Sequence, residues 1–120
     1  MILIALGANL PSHFGSPEDT LGAAIAALTE YGVKIVTVSR IWITEPVPAS
    51  DQPLYRNAIA SVKTKLSPEM LLDVLHAIES DFGRKRMERN EARVIDLDLI
   101  AYNNIIIHSD DIYIDRKSVV

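Results

Sequence analysis

The apolar positions of this chain change their period several times, and each change marks an element. Met1 to Leu6 carries no charge and runs into Gly7, as expected of a buried first strand. Ser16-Pro17-Glu18-Asp19 has the residues that open helices: a capping hydroxyl, a proline suited to the first turn, and acids at the positive end. The apolar stripe that follows predicts a helix over 17–31, closed by Gly32. Val33 to Thr44 is rich in β-branched residues and predicts a strand. Glu45 to Pro53 holds three prolines in nine residues and predicts a stiff loop. Tyr55 to Lys65 alternates as a second long strand, with Tyr55, Asn57, Ile59 and Ser61 on one face. Ser67-Pro68-Glu69 repeats the helix-opening pattern, and a helical stripe continues from Met70 to Phe82, ending at Gly83. Arg84 to Arg93 has no apolar period and reads as a charged loop. Ile95 to Tyr102 is again a strand, Asn103-Asn104 a turn, and Ile105 to His108 a segment able to return antiparallel. The order βαββαβ predicts an α+β, ferredoxin-like sandwich with an antiparallel sheet and two helices on one face.

With 120 residues, 48% of them hydrophobic, the expectation is one domain, 1–120, around a single core. The net charge of −4 argues against a general electrostatic grip on nucleic acid or an anionic membrane. The N-terminal apolar run is too short for a signal or a membrane span, so a cytoplasmic protein is expected. Cysteine is absent, which excludes disulfides and thiolate metal sites. Charge is uneven, however. Five of the twelve Lys and Arg residues (Arg84, Lys85, Arg86, Arg89, Arg93) fall just before the strand that carries Asp96 and Asp98, which marks a local anion site.

Asp96 and Asp98 are two apart on a strand, so they share a face while Leu97 and Leu99 point the other way. Two carboxylates so placed can share a hard cation such as Mg²⁺, which prefers oxygen ligands and is usually completed by substrate phosphates. Taken alone, the pair is as readily an ordinary solvated strand face. The loop before it shifts the balance, because Arg84, Arg86, Arg89 and Arg93 supply guanidinium forks for phosphate oxygens, and metal plus arginines are the parts of a phosphoryl-transfer site. No glycine-rich phosphate loop is present. Tyr55 offers a ring face and Asn57 both donors and an acceptor, a combination suited to a heterocycle, although a core-edge tyrosine and a turn-type asparagine are the blander reading. His13, His76 and His108 show no ligand spacing. His76 and Glu79 lie one turn apart on the second helix. Trp42 is expected in the core.

Several ordered segments together, LGANL, Thr44 through DQP, Tyr55-Arg56-Asn57, IESDFGRKR and ARVIDLDLI, resemble the 6-hydroxymethyl-7,8-dihydropterin pyrophosphokinase family of folate synthesis over nearly the whole chain. The resemblance implies transfer of pyrophosphate from ATP to the hydroxymethyl group of the pterin, with release of AMP, in the cytoplasm. It implies two Mg²⁺ on Asp96 and Asp98, and Arg84 and Arg93 on the ATP phosphates. Arg86 and Arg89 would also contact the nucleotide, with His76 and Glu79 close to it. It further implies a pterin pocket lined by Thr44, Val47, Tyr55 and Asn57, with Tyr55 as a stacking wall. Glu91 and Ala92 stand where the family carries Gly and Pro. DIYIDRKSVV stands where the family has a Pro-His element, then an Arg and a Phe, the Phe forming the second stacking wall, so the chain reads as a short form without the usual C-terminal portion. From that difference a weaker grip on the pterin is expected. The alternative, in another class, is a relative that binds nucleotide or pterin as a regulatory module without efficient catalysis.

Overall fold

The computed structural model describes residues 1–45, 53–83 and 94–103, together with the backbone of 105–108 and 113–115. The order is β1 (Ile2–Ala8), α1 (Pro17–Glu30), β2 (Lys34–Val38), β3 (Trp42–Thr44), β4 (Tyr55–Lys63), α2 (Pro68–Phe82), β5 (Asp96–Tyr102), β6 (Ile105–His108) and β7 (Tyr113–Asp115). All neighbours in the sheet are antiparallel, in the order β2-β4-β1-β5-β6-β7, with β3 continuing beside β4. The β2-β4-β1-β5 centre with two helices is the ferredoxin-like α+β arrangement that the periodicity predicts. β7, which extends the sheet beyond the expected β6, was not legible in the sequence.

Both helices begin as their sequences dictate. Asp19 N–H donates to Ser16 Oγ at 3.2 Å while Ser16 N–H donates to the Asp19 carboxylate at 3.1 Å, a reciprocal cap for two otherwise orphaned amides. Met70 N–H donates to Ser67 Oγ in the same way at 3.2 Å. Gly32, at φ +85°, ends α1: its N–H donates to the Thr29 carbonyl and that of Val33 to the Leu28 carbonyl, both at 3.1 Å. This left-handed turn favours glycine and sends the chain straight into β2.

One core lies between the helices and the sheet. Ile2, Ile4, Leu6 and Ala8 of β1, Ala58, Ala60 and Val62 of β4, and Leu97 and Leu99 of β5 face Leu21, Ala24 and Leu28 of α1 and Leu71, Leu75, Ile78 and Phe82 of α2. Alternation along the three central strands, interrupted in β5 where the pairing with β1 shifts between Leu3 and Ile4, sends the intervening residues to the uncovered face, where the candidate chemistry lies.

Two expectations need correction. Val33 to Thr44 is two short strands, because Ser39 takes over part of the ladder. Ser39 N–H donates to the Ile59 carbonyl and Ile59 N–H donates to Ser39 Oγ, both at 2.8 Å, so a hydroxyl stands where a backbone carbonyl would be. The register then steps by one residue between Val38↔Ala60 and Trp42↔Asn57. Trp42 is not a core residue. Opposite Asn57 it belongs to the uncovered face and is 39% exposed.

Candidate active site

Strand register assembles the site. Trp42 pairs with Asn57, Asn57 with Gly7, and Gly7 with Asp96, so these four form one row across β3, β4, β1 and β5 on the uncovered face. Ile59, Ala5 and Asp98 make the adjacent row, and Thr44 stands opposite Tyr55. Asn57 and Asp96 are therefore two strand spacings apart, about 10 Å. Asp98 is exposed and Asp96 half-buried.

The Asn57 amide has a defined orientation. Its Nδ2 donates to Thr44 Oγ1 at 2.9 Å and lies 3.5 Å from the Trp42 carbonyl oxygen, which turns Oδ1 towards β1. Tyr55, half-buried on the same face, brings its ring edge beside Gly7. The side chains expected to meet a heterocycle, Thr44, Tyr55 and Asn57, thus stand together, while Val47 lies outside the described residues. So do Arg84, Arg86, Arg89 and Arg93.

Glu79 belongs to the helix layer. From α2 its carboxylate accepts the N–H of Leu97 at 2.8 Å, and Leu97 is the residue between the two aspartates. Among the described residues β6 pairs with β5 only at Ala101 and Tyr102, so Glu79 supplies an acceptor where the ladder offers none. His76, one turn earlier, is exposed on the same helix. The structure therefore separates the described expected residues into two groups: Asn57, Tyr55, Thr44 and the aspartates on the open face, and, on α2, Glu79 bonded to β5 at Leu97 with His76 exposed one turn earlier.

The donor set fits Mg²⁺. Among the described residues no group of three His, Asp or Glu side chains forms a possible metal cage. Two adjacent carboxylates that reach solvent match an ion that retains waters and takes further oxygens from phosphates.

Two residues within LGANL escaped assignment from sequence. Asn9 is 1% exposed, and its Nδ2 donates to the Pro53 carbonyl at 3.2 Å, fastening the end of β1 to the residues that lead into Tyr55. A buried amide directly after an apolar strand is the signal that could have found it. Gly7 sits between Asn57 and Asp96, which only the strand register reveals. Arg56, inside the matching Tyr-Arg-Asn segment, faces the other way and pairs with Glu18 at 3.3 Å, a link between β4 and the start of α1.

The 7,8-dihydro-6-hydroxymethylpterin-pyrophosphokinase family model matches residues 3–118. The chain belongs to this family. Among pterin pyrophosphokinase relatives, the 2-amino-4-hydroxy-6-hydroxymethyldihydropteridine pyrophosphokinase of Haemophilus influenzae is 41% identical over 108 residues, 89% of this chain and 65% of that protein. Its Bacillus subtilis namesake is 36% identical over 112 residues, 92% of this chain and 65% of that protein. A folate synthesis bifunctional protein of Arabidopsis thaliana is 34% identical over 119 residues, 98% of this chain but 24% of the plant protein. The chain thus spans less than two thirds of the length of each of these three relatives. Among the described residues no helix is long and apolar enough to cross a membrane.

Proposed function

We propose that the chain, acting as one pyrophosphokinase-like domain over 1–120, transfers the pyrophosphoryl group of ATP to the hydroxymethyl group of 6-hydroxymethyl-7,8-dihydropterin in the cytoplasm. The observation that carries this reading is the row Asn57–Gly7–Asp96. An amide suited to a heterocycle edge and a carboxylate suited to a hard cation stand on one face about 10 Å apart. A heterocycle held at Asn57 can then present its substituent to phosphates held at Asp96 and Asp98.

In this reaction the hydroxymethyl oxygen attacks the β-phosphorus of ATP. The bond from that phosphorus to the oxygen bridging it to the α-phosphorus breaks, AMP departs, and the hydroxyl proton passes to solvent. Asn57 and Thr44 orient the ring by hydrogen bonds, and Tyr55 provides a stacking face. Asp96 and Asp98 would hold two Mg²⁺, which when bound neutralise phosphate charge. Arg84, Arg86, Arg89 and Arg93 would grip phosphate oxygens, and His76 and Glu79 flank the nucleotide side. Positioning and charge neutralisation are what in-line phosphoryl transfer requires, so no covalent nucleophile is needed.

A coupled AMP-release assay with ATP, Mg²⁺ and the hydroxymethyl pterin tests the proposal. Pterin-dependent AMP formation that is abolished by chelating Mg²⁺ is the expected result. ATP binding without pterin-dependent AMP release would overturn it.

A further inference from the structure

Gly7 is costly where it stands. It lies inside a central strand, where glycine is less stabilising than alanine, and its φ is outside the left-handed region that would call for glycine. A neighbour must therefore account for it. A Cβ at Gly7 would lie 3.2 Å from Asn57 Oδ1, closer than ordinary van der Waals contact, and 3.9 Å from both the Arg56 carbonyl oxygen and Tyr55 Cδ1. The amide is not free to retreat, because Nδ2 is held on the far side by Thr44 Oγ1 at 2.9 Å. Any rotation that relieves Oδ1 lengthens that bond.

We propose that Gly7 is a positioning residue for pterin recognition: the missing side chain leaves the space in which Asn57 Oδ1 can face β1 while Nδ2 stays on Thr44. The inference rests on the reading of Asn57 as a pterin contact. It assigns to the bare backbone between Asn57 and Asp96 the task of fixing the amide's direction, with no contact of its own to the nucleotide. A substituent at this position turns the acceptor away from the ring edge it serves, and leaves the acidic pair one strand over in place.

The test is Gly7→Ala, compared with wild type by calorimetric titration of the pterin and of Mg-ATP, and by steady-state kinetics. The variant should fold, bind Mg-ATP as wild type does, and show a pterin dissociation constant and KM raised roughly ten-fold, the worth of one neutral hydrogen bond, with kcat changed much less. In an Asn57→Ala background, the same substitution should add nothing, since no amide remains to displace. Unchanged pterin binding in Gly7→Ala would overturn the inference and leave the proposed function standing. So would an equal loss in the Asn57→Ala background, or a Gly7→Ala chain that does not fold, which would make the glycine a requirement of the sheet alone. Wild-type protein that binds Mg-ATP but no pterin would overturn the proposed function, and this inference with it.

Discussion

The Glu79 carboxylate accepts the Leu97 amide proton at 2.8 Å, joining α2 to the strand residue between Asp96 and Asp98. Because both aspartates are carried by the backbone on either side of that amide, the helix holds the strand that presents them. Removal of the acceptor in Glu79→Ala leaves a part-buried amide to find another partner and should cost about 1–3 kcal/mol. Glu79→Gln keeps an oxygen and should lose less. Urea denaturation of the two variants checks the order, and equal stability of Glu79→Ala and wild type would show that this contact holds nothing.

Asp96→Asn and Asp98→Asn should leave the fold intact, since neither side chain belongs to the core. Charge stabilisation of several kcal/mol is at stake in such metal sites, so pyrophosphoryl transfer should fall about 100-fold or more in each variant. Titration with Mg-ATP should show the same loss. Wild-type affinity in both variants would mark the acids as ordinary surface groups.

Leu97→Ala tests the opposite face of the same strand. Leu97 is 3% exposed within the core, and truncation should destabilise the chain by about 2–5 kcal/mol. Asp98→Asn, one position along, should stay within about 0.5 kcal/mol of wild type. Thermal melts of the pair measure the contrast, and similar losses would contradict the alternation on which the site depends.

Thr44→Val removes the hydroxyl that holds Asn57 Nδ2 but keeps the shape of the side chain. The pterin KM should rise about five- to ten-fold, the worth of one hydrogen bond, and that of ATP should stay the same. A rise confined to ATP would place Thr44 outside the pterin site.

Arg93→Ala should weaken nucleotide use more than pterin use. A guanidinium on phosphate contributes charge-assisted hydrogen bonds, each worth about 1.5–3 kcal/mol, so kcat/KM for ATP should drop by roughly ten- to a hundred-fold. Kinetics with each substrate varied separately decide the matter, and a loss seen only with the pterin would reassign the arginine.

Local chemistry was enough for much of this molecule. Ser16, Ser67, Gly32 and Gly83 mark helix ends because caps and turns are made by residues a few positions apart, and the alternation around Leu97 and Leu99 sorted Asp96 and Asp98 onto one face before any partner strand was known. Long-range pairing decided the rest. Trp42 looked like a core residue until its register opposite Asn57 placed it on the uncovered face, and the break at Ser39 exists because its hydroxyl meets Ile59, twenty residues away. Nothing within LGANL announces that Gly7 separates Asn57 from Asp96, which lie fifty and eighty-nine positions further along the chain and become its neighbours only when β1 is inserted between β4 and β5. The sequence by itself determined the two helices and the main strands, though not β7 or the break at Ser39, and it supplied the side chains proposed to meet phosphate, since those depend on short-range sterics and residue chemistry. Which of them meet was decided by tertiary structure alone, because a one-residue change of register would send every side chain of a strand to the opposite face.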